Sequence, residues 1–552
     1  MAARNRWMAG VGLLVLMVTF MALAPMATVQ AGPAGDEPKV TKQVEPAAPS
    51  DEASPAAADD ESASGVRDGD AAAYIAKANE ELLKLKDLDP ASPQAQEAIL
   101  QAYKLVAHGF HQFPRDPAMT VAYAAMKPVQ LFRHFGWRIQ GFLIHSPLDY
   151  RRYKNTVRRS YEQWRVTGNK SGMAWIHWFS DSPADAAYDV ENNKFSNSKE
   201  FALFPNGEKL QEWLAADVFP EMENIAQALE ANVVKRQEDF NFNWDLRAGF
   251  SNWAAPTGAL QPADESPVKR IGRSEGLILA AMYRSWIGWT KVFCSYNFNS
   301  FFKVRSRFNE GKAFTELAEI VKQFTLPDLF KLWNKNDGKG ILDGRAFIKS
   351  SQADLLTSLQ ILEELNSEQF AKGDENPAGR WFDYNVMKPW SGRIANLINE
   401  MRALLSGSVM LEDSWNKTRT AVNVAGWFDN PPPDLTIFLP SKISSNRNVS
   451  RYVPFFDRIE TRGVLAKEFG VDLRHLLSPR QNIDLLDLNM HVDWQPTNDP
   501  GEWRDYSMYG LFPGAKDRVG LLKGVYTVVN SRSSVLTGGV WGLVFGTLFW
   551  TN

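Results

Sequence analysis

Gly272-Arg-Ser274-Glu-Gly276 has the G-x-S-x-G spacing that, in a nucleophile elbow, lifts a serine hydroxyl above a sheet. That chemistry needs an apolar strand before the turn, a helix after it, a glycine-rich oxyanion loop, and an acid and a histidine further on. The helix is expected from the sequence. The preceding Ser266–Ile271 segment makes a poor strand, and no parallel-sheet pattern surrounds it. The motif therefore reads as a helix start with Ser274 as its cap. Ser300-Phe-Phe-Lys303 matches the S-x-x-K of penicillin-binding enzymes, with Ser444-Ser-Asn446 downstream. The Lys-Thr-Gly strand that would bind a substrate carboxylate is missing, because Lys417-Thr418 runs into Arg419 and Thr537-Gly538 lacks the lysine.

Metal chemistry fares no better. Asn334–Asp343 resembles a calcium loop, but either glycine register places Lys335 or Trp333 where an oxygen ligand belongs, so it reads as a polar turn. His108 and His111 share a helix face at i, i+3 without an adjoining acid–histidine cluster, and read as surface residues. No catalytic residue, metal ligand or cofactor is assigned. The candidate binding residues are Asn241, Asn243, Trp244, Asn297 and Asn299. They come from two doublets, Phe240–Trp244 and Tyr296–Asn299, in which amides alternate with rings. Period two places amides on one side and rings on the other. Amides beside aromatic planes suit a sugar, so a polysaccharide is a candidate partner.

The elements that must carry these residues are helical. Residues 71–88 and 92–113 form a helix pair joined at Asp89-Pro90 and stopped at Pro114. The Phe113–Pro117 segment that follows resembles the joint between tetratricopeptide repeats, but no second copy appears at the required spacing. Leu277–Cys294 is apolar nearly all round, with Arg284 and Lys291 on one narrow face, which predicts a buried central helix. Phe314–Phe324, Leu355–Leu365 and Ile394–Leu405 carry apolar stripes at helical spacing, the last ended by Ser406-Gly407. Tyr150–Arg165 is a basic helix interleaved with aromatics, read as a solvated face. The fold class is mainly α: an irregular multi-helix bundle, with short helical turns and little strand in the C-terminal part.

The ends of the chain suggest an address. Arg4 and Arg6 precede the apolar stretch Gly10–Ala24, Pro25 breaks it, and Val29-Gln30-Ala31 offers small residues for cleavage after Ala31. Residues 1–31 are read as a signal peptide. Residues 32–70, rich in Pro, Ala, Ser and acid, are read as a disordered acidic linker that buries too little apolar surface to offset its ordering entropy. Helical domains are expected over 71–235 and 236–425, and a C-terminal region of short elements over 426–552. Gly538, Gly542 and Gly546 fall on one helical face of the apolar tail 535–550. As a helix that tail spans about 24 Å, against about 30 Å of bilayer hydrocarbon. It reads as a close-packed tail, buried in the protein or a partner, with membrane contact as the competing use.

Composition closes off some classes. A net charge of −3 over 552 residues argues against nucleic acid as a partner. A single cysteine, Cys294, forms no internal disulfide. Nineteen tryptophans suit a packed core or a stacking cleft, the core being the commoner use. The sequence therefore points to an exported protein of the bacterial periplasm or outer-membrane surface. It would be a non-catalytic scaffold or binding component whose partners are other envelope proteins. A carbohydrate-binding or polysaccharide-degrading helical protein is the alternative.

Overall fold

The computed structural model describes residues 70–143, 151, 170–189, 191–192, 194–196, 198–236, 239–245, 268–299, 331–334, 341–374, 380, 384–412, 419–433, 442–445 and 490–493, with scattered positions between 507 and 527. The leader, the acidic linker apart from Asp70, the basic helix apart from Arg151, the Ser300–Lys303 motif, the 314–324 stripe and the 535–550 tail lie outside the described residues. What is described is mainly α, with strands only in two-stranded sheets.

Side-chain caps start the N-terminal helices. After α1 (Ala71–Leu83), Ser92 Oγ accepts the Ala95 N–H at 3.2 Å to start α2 (Pro93–Gln112), and Asp116 Oδ1 accepts the Met119 N–H at 2.7 Å to start α3 (Pro117–Leu131). Both have proline in the first turn, where its missing N–H costs nothing. The short α4 (Phe135–Arg138) and α5 (Gln140–Leu143) follow, then α6 (Lys170–Ser180) and the hairpin β1 (Tyr188–Asp189) with β2 (Lys194–Phe195). Next, α7 (Gly207–Trp213) passes through a π-helical turn into α8 (Phe219–Leu229), which ends in a second π turn, Glu230–Val234.

The hairpin of β3 (Asn241–Asp245) and β4 (Val268–Gly272) leads directly into the long α9, Arg273–Ser295. This is the buried helix that the apolar run predicts. Its most extensive packing is along α10 (Gly344–Leu365), which Asp343 caps by accepting the Ala346 N–H at 3.0 Å. The supposed calcium loop thus ends as a helix cap. Leu355, Leu359, Leu362 and Leu365 of α10 are all buried, as are the six stripe residues of α11 (Ser391–Ser406), which stops at Gly407. The hairpin β5 (Val409–Glu412) with β6 (Arg419–Val422), α12 (Val424–Asp429) and the antiparallel pair β7 (Lys442–Ser445) with β8 (Met490–Asp493) complete the described elements. One cluster of buried side chains runs from Tyr74 to Phe428, with Trp175 and Trp178 inside it; Trp137 centres a smaller cluster with Ala186 and Tyr188. No described helix is long and apolar enough to cross a membrane.

A charged seam runs through the apolar α9–α10 crossing. Asp354 of α10, 5% exposed, accepts from Arg284 Nη1 and from Lys291 Nζ, each at 2.7 Å. Arg284 also pairs with Glu230, and Lys291 with Glu223 at 2.6 Å. The narrow basic face predicted for the helix is this seam, every charge on it answered from α8, its π turn or α10. The helices approach closely because Gly288 has no side chain: a Cβ there would lie 2.8 Å from Leu355 Cγ and 3.1 Å from Ser351 O.

Gly288→Ala is accordingly expected to destabilise the protein by roughly 1–3 kcal/mol in urea unfolding, overpacking outweighing the better helix propensity of alanine. Gly392→Ala in the first turn of α11, where a Cβ meets nothing within 4 Å, should instead stabilise by about 0.5 kcal/mol.

Candidate functional site

The richest polar cluster among the described residues gathers at the N-terminus of α9. Three consecutive side chains, Arg273, Ser274 and Glu275, leave its first turn in different directions. Arg273 forms ion pairs with Glu364 and Glu368, and its Nη2 donates to Val234 O at 3.3 Å. Ser274 Oγ donates to Gln369 Oε1 at 2.6 Å. Glu275 Oε2 accepts the Gly272 N–H at 2.8 Å and Arg380 Nη1 at 3.3 Å, while its Oε1 accepts the Tyr384 O–H at 2.8 Å. Arg380 also donates through Nε to Asp374 at 3.0 Å, and the Asp374 N–H donates to Asn385 Oδ1 at 2.9 Å.

Local structure explains the convergence. Glu275 at the third helical position reaches back to Gly272, half of a capping box, glycine having no side chain to return the bond. Arg273 reaches two π-helical turns at once: Val234 ends the turn after α8, and Glu368 lies in Asn366–Phe370, the turn that ends α10. A π turn widens the backbone ring and offsets the side chains that follow it.

Burial pushes the Glu275 carboxyl above its ordinary range; Arg380, the Gly272 amide and the Tyr384 hydroxyl pull the other way without cancelling it. Burial, then the neighbouring Glu275, pushes the Tyr384 hydroxyl well up. An upward shift moves a carboxyl toward the behaviour a general acid needs. Here, however, both its oxygens are committed inward. Its work is to tie β4 and α9 to Arg380 and Tyr384.

The G-x-S-x-G motif does sit at a strand-to-helix junction, and the expectation of a poor strand is corrected: Val268–Gly272 pairs along its whole length with β3. Among the described residues that partner is one antiparallel strand, with a single parallel bridge from Arg270 to Arg380 beside it, rather than the parallel sheet of an elbow. Ser274 is not the cap either. Gly272 is, and Ser274, 8% exposed, bonds an amide rather than an imidazole. Packing accounts for both glycines. A Cβ at Gly272 would stand 2.9 Å from Arg380 Nη1, and one at Gly276 would stand 2.8 Å from Val233 Cγ1.

The two amide–aromatic doublets lie at opposite ends of α9. Asn241 pairs with Gly272 just before the helix, and Tyr296 follows Ser295 at its end; 23 residues at about 1.5 Å each separate them by about 34 Å. Asn241 and Asn243 are exposed on one face of β3, while Phe242 and Trp244 point to the other, their rings edge-to-face at 6.3 Å. Asn297 is buried, its Oδ1 accepting the Asn299 N–H at 2.9 Å; Asn299 Oδ1 accepts the Gly207 N–H at 3.2 Å. These two amides hold the turn after α9 against α7. His108 and His111 are both exposed. Cys294 is fully buried, and burial holds its thiol well above the usual range, a state unsuited to nucleophilic work.

The Glu275 cluster had one sequence signal, a glutamate three residues after Gly272. Nothing in the chain marks Arg380 or Tyr384, more than a hundred residues away, as its partners. No known protein family matches this chain, and no curated protein or solved structure matches it either.

Glu275→Ala should cost about 3 kcal/mol, because Arg380 and two further donors lose their acceptor, whereas Glu275→Gln keeps an accepting oxygen and should cost about 1 kcal/mol. A carboxyl whose folded titration is raised lends stability that is complete below its ordinary value of 4.5 and lost as pH rises through the folded value. The stability of wild type minus that of E275Q should therefore fall as pH rises, measured by urea unfolding across a pH series.

Proposed function

We propose that this protein is an exported component of the bacterial cell envelope, in the periplasm or at the outer membrane. It acts as a non-catalytic scaffold or binding protein, with other envelope proteins as partners. The observation that carries the reading is the inward commitment of the polar groups. Glu275 bonds Arg380 and Tyr384, Arg273 pairs with Glu364 and Glu368, Ser274 bonds Gln369, and Arg284 and Lys291 in the seam bond Asp354, so each is committed to another side chain of the protein. A catalytic site needs at least one such group aimed at a reacting atom. The leader pattern, the acidic linker and the apolar tail supply the address and the means of attachment. Exposed Asn241 and Asn243, with Arg270 paired across from Asn243, favour carbohydrate binding as the second reading.

Expressed from its whole gene in a bacterium with two membranes, the protein should be recovered outside the cytosol with Gly32 as its first residue, read by intact mass. Carbonate should release both the full chain and a truncation after Ser534. A cytosolic product retaining Met1 would overturn the export reading. Turnover of a polysaccharide that E275Q abolishes would overturn the non-catalytic one.

A further inference from the structure

His134 is an unusual joint between α3 and α4. It is one of two non-glycine residues among those described with a positive φ, at φ 54° and ψ 18°. A left-handed conformation is costly for a non-glycine residue and persists only when its surroundings hold it. The holding groups come from α6 and the turn after it. The His134 N–H donates to Trp178 O at 3.0 Å, and His134 Nδ1 lies 2.9 Å from Asp181 O. A carbonyl only accepts, so Nδ1 carries the proton, and the neutral ring has a bare Nε2.

The neighbourhood is poorly suited to a second proton. His134 is 6% exposed, and the edge of its ring meets Phe201 at 4.8 Å. The Arg133 guanidinium lies over Trp178 at 4.6 Å and over the same Phe201 at 5.5 Å. Asp181 and Asp185 are the anions that face it. The Asp181 carboxylate is taken by His177 Nδ1 at 2.6 Å, and that of Asp185 accepts the Lys199 N–H at 2.9 Å. Burial, helped by Arg133, outweighs these acids and keeps the imidazole neutral below its ordinary value of 6.5.

We propose that this corner is an acid-sensitive clasp: protonation of His134 sets a second cation beside Arg133 over Phe201 and loosens α6 and the 198–204 stretch from the α3–α4 corner. The sign follows from linkage. A histidine held neutral in the closed state lends stability that is present above 6.5 and lost as pH falls. This inference goes beyond the scaffold reading and does not depend on it.

The test is hydrogen exchange of the full chain at about pH 7.5 and about pH 5.5, scored against His134→Asn. Asparagine tolerates the left-handed region and keeps a donor for Asp181 O, but it does not titrate. Exchange in peptides spanning 130–139 and 175–181 should open about tenfold more on acidification in wild type, stay level in H134N, and open less in Arg133→Gln. His177→Gln should keep the acid response. Equal acid opening in wild type and H134N would overturn the proposal, as would loss of the response in H177Q. If H134N fails to fold, imidazole NMR of wild type decides: a His134 ring already charged while the corner stays protected would also overturn it.

Discussion

Asp354 is the constraint on which the rest depends. One carboxylate, buried where α9 crosses α10, accepts two cations a full two turns apart on the facing helix. Removing one partner of a buried pair leaves an uncompensated charge, a cost of about 3–5 kcal/mol, so a sliding of α10 along α9 would be penalised far more than in an all-leucine interface. Apolar packing brings the two helices together; the seam selects one register. Gly288 then allows the close approach that lets Leu355 pack against the backbone of α9.

That register carries consequences to both ends of α9. At its start, the end of α10 comes within reach of Arg273 and Ser274, so Glu364, Glu368 and Gln369 meet the first turn of α9. The buried Glu275 can then be surrounded by donors from Arg380 and Tyr384. At its far end the chain turns through Asn297 and Asn299 against Gly207. A long central helix therefore separates the two doublets that looked alike in sequence and gives them different tasks, one exposed on a hairpin and one folded into a turn.

The His134 corner is built on another logic. The α3–α4 joint and α6 are held by aromatic planes, two backbone carbonyls and one guanidinium rather than by paired charges. Such a joint needs no counterion while the ring is neutral. A proton on that ring therefore arrives beside Arg133 with no carboxylate bonded to it, whereas the cations of the Asp354 seam are each paired with an acid.

The sequence by itself determined the local elements. The stripes of α10 and α11, the all-round apolar α9, the helix pair before Pro114 and the stop at Gly407 were legible because helix periodicity, capping oxygens and proline act over a few residues. So was the pairing of amides against rings on β3. Tertiary structure alone decided what those elements mean together. The strand at Val268–Gly272 exists because β3 supplies a partner that its own residues do not advertise. Gly272 and Gly276, which have the spacing of a nucleophile elbow, are there to admit Arg380 and Val233. The side-chain partners of Glu275 and Asp354 come from 63 to 109 positions away, and no pattern of spacing encodes a contact that closes only when the chain does. Short-range sterics and hydrogen bonding are written residue by residue, while the pairing of buried charges is settled by which surfaces the packed helices present to one another.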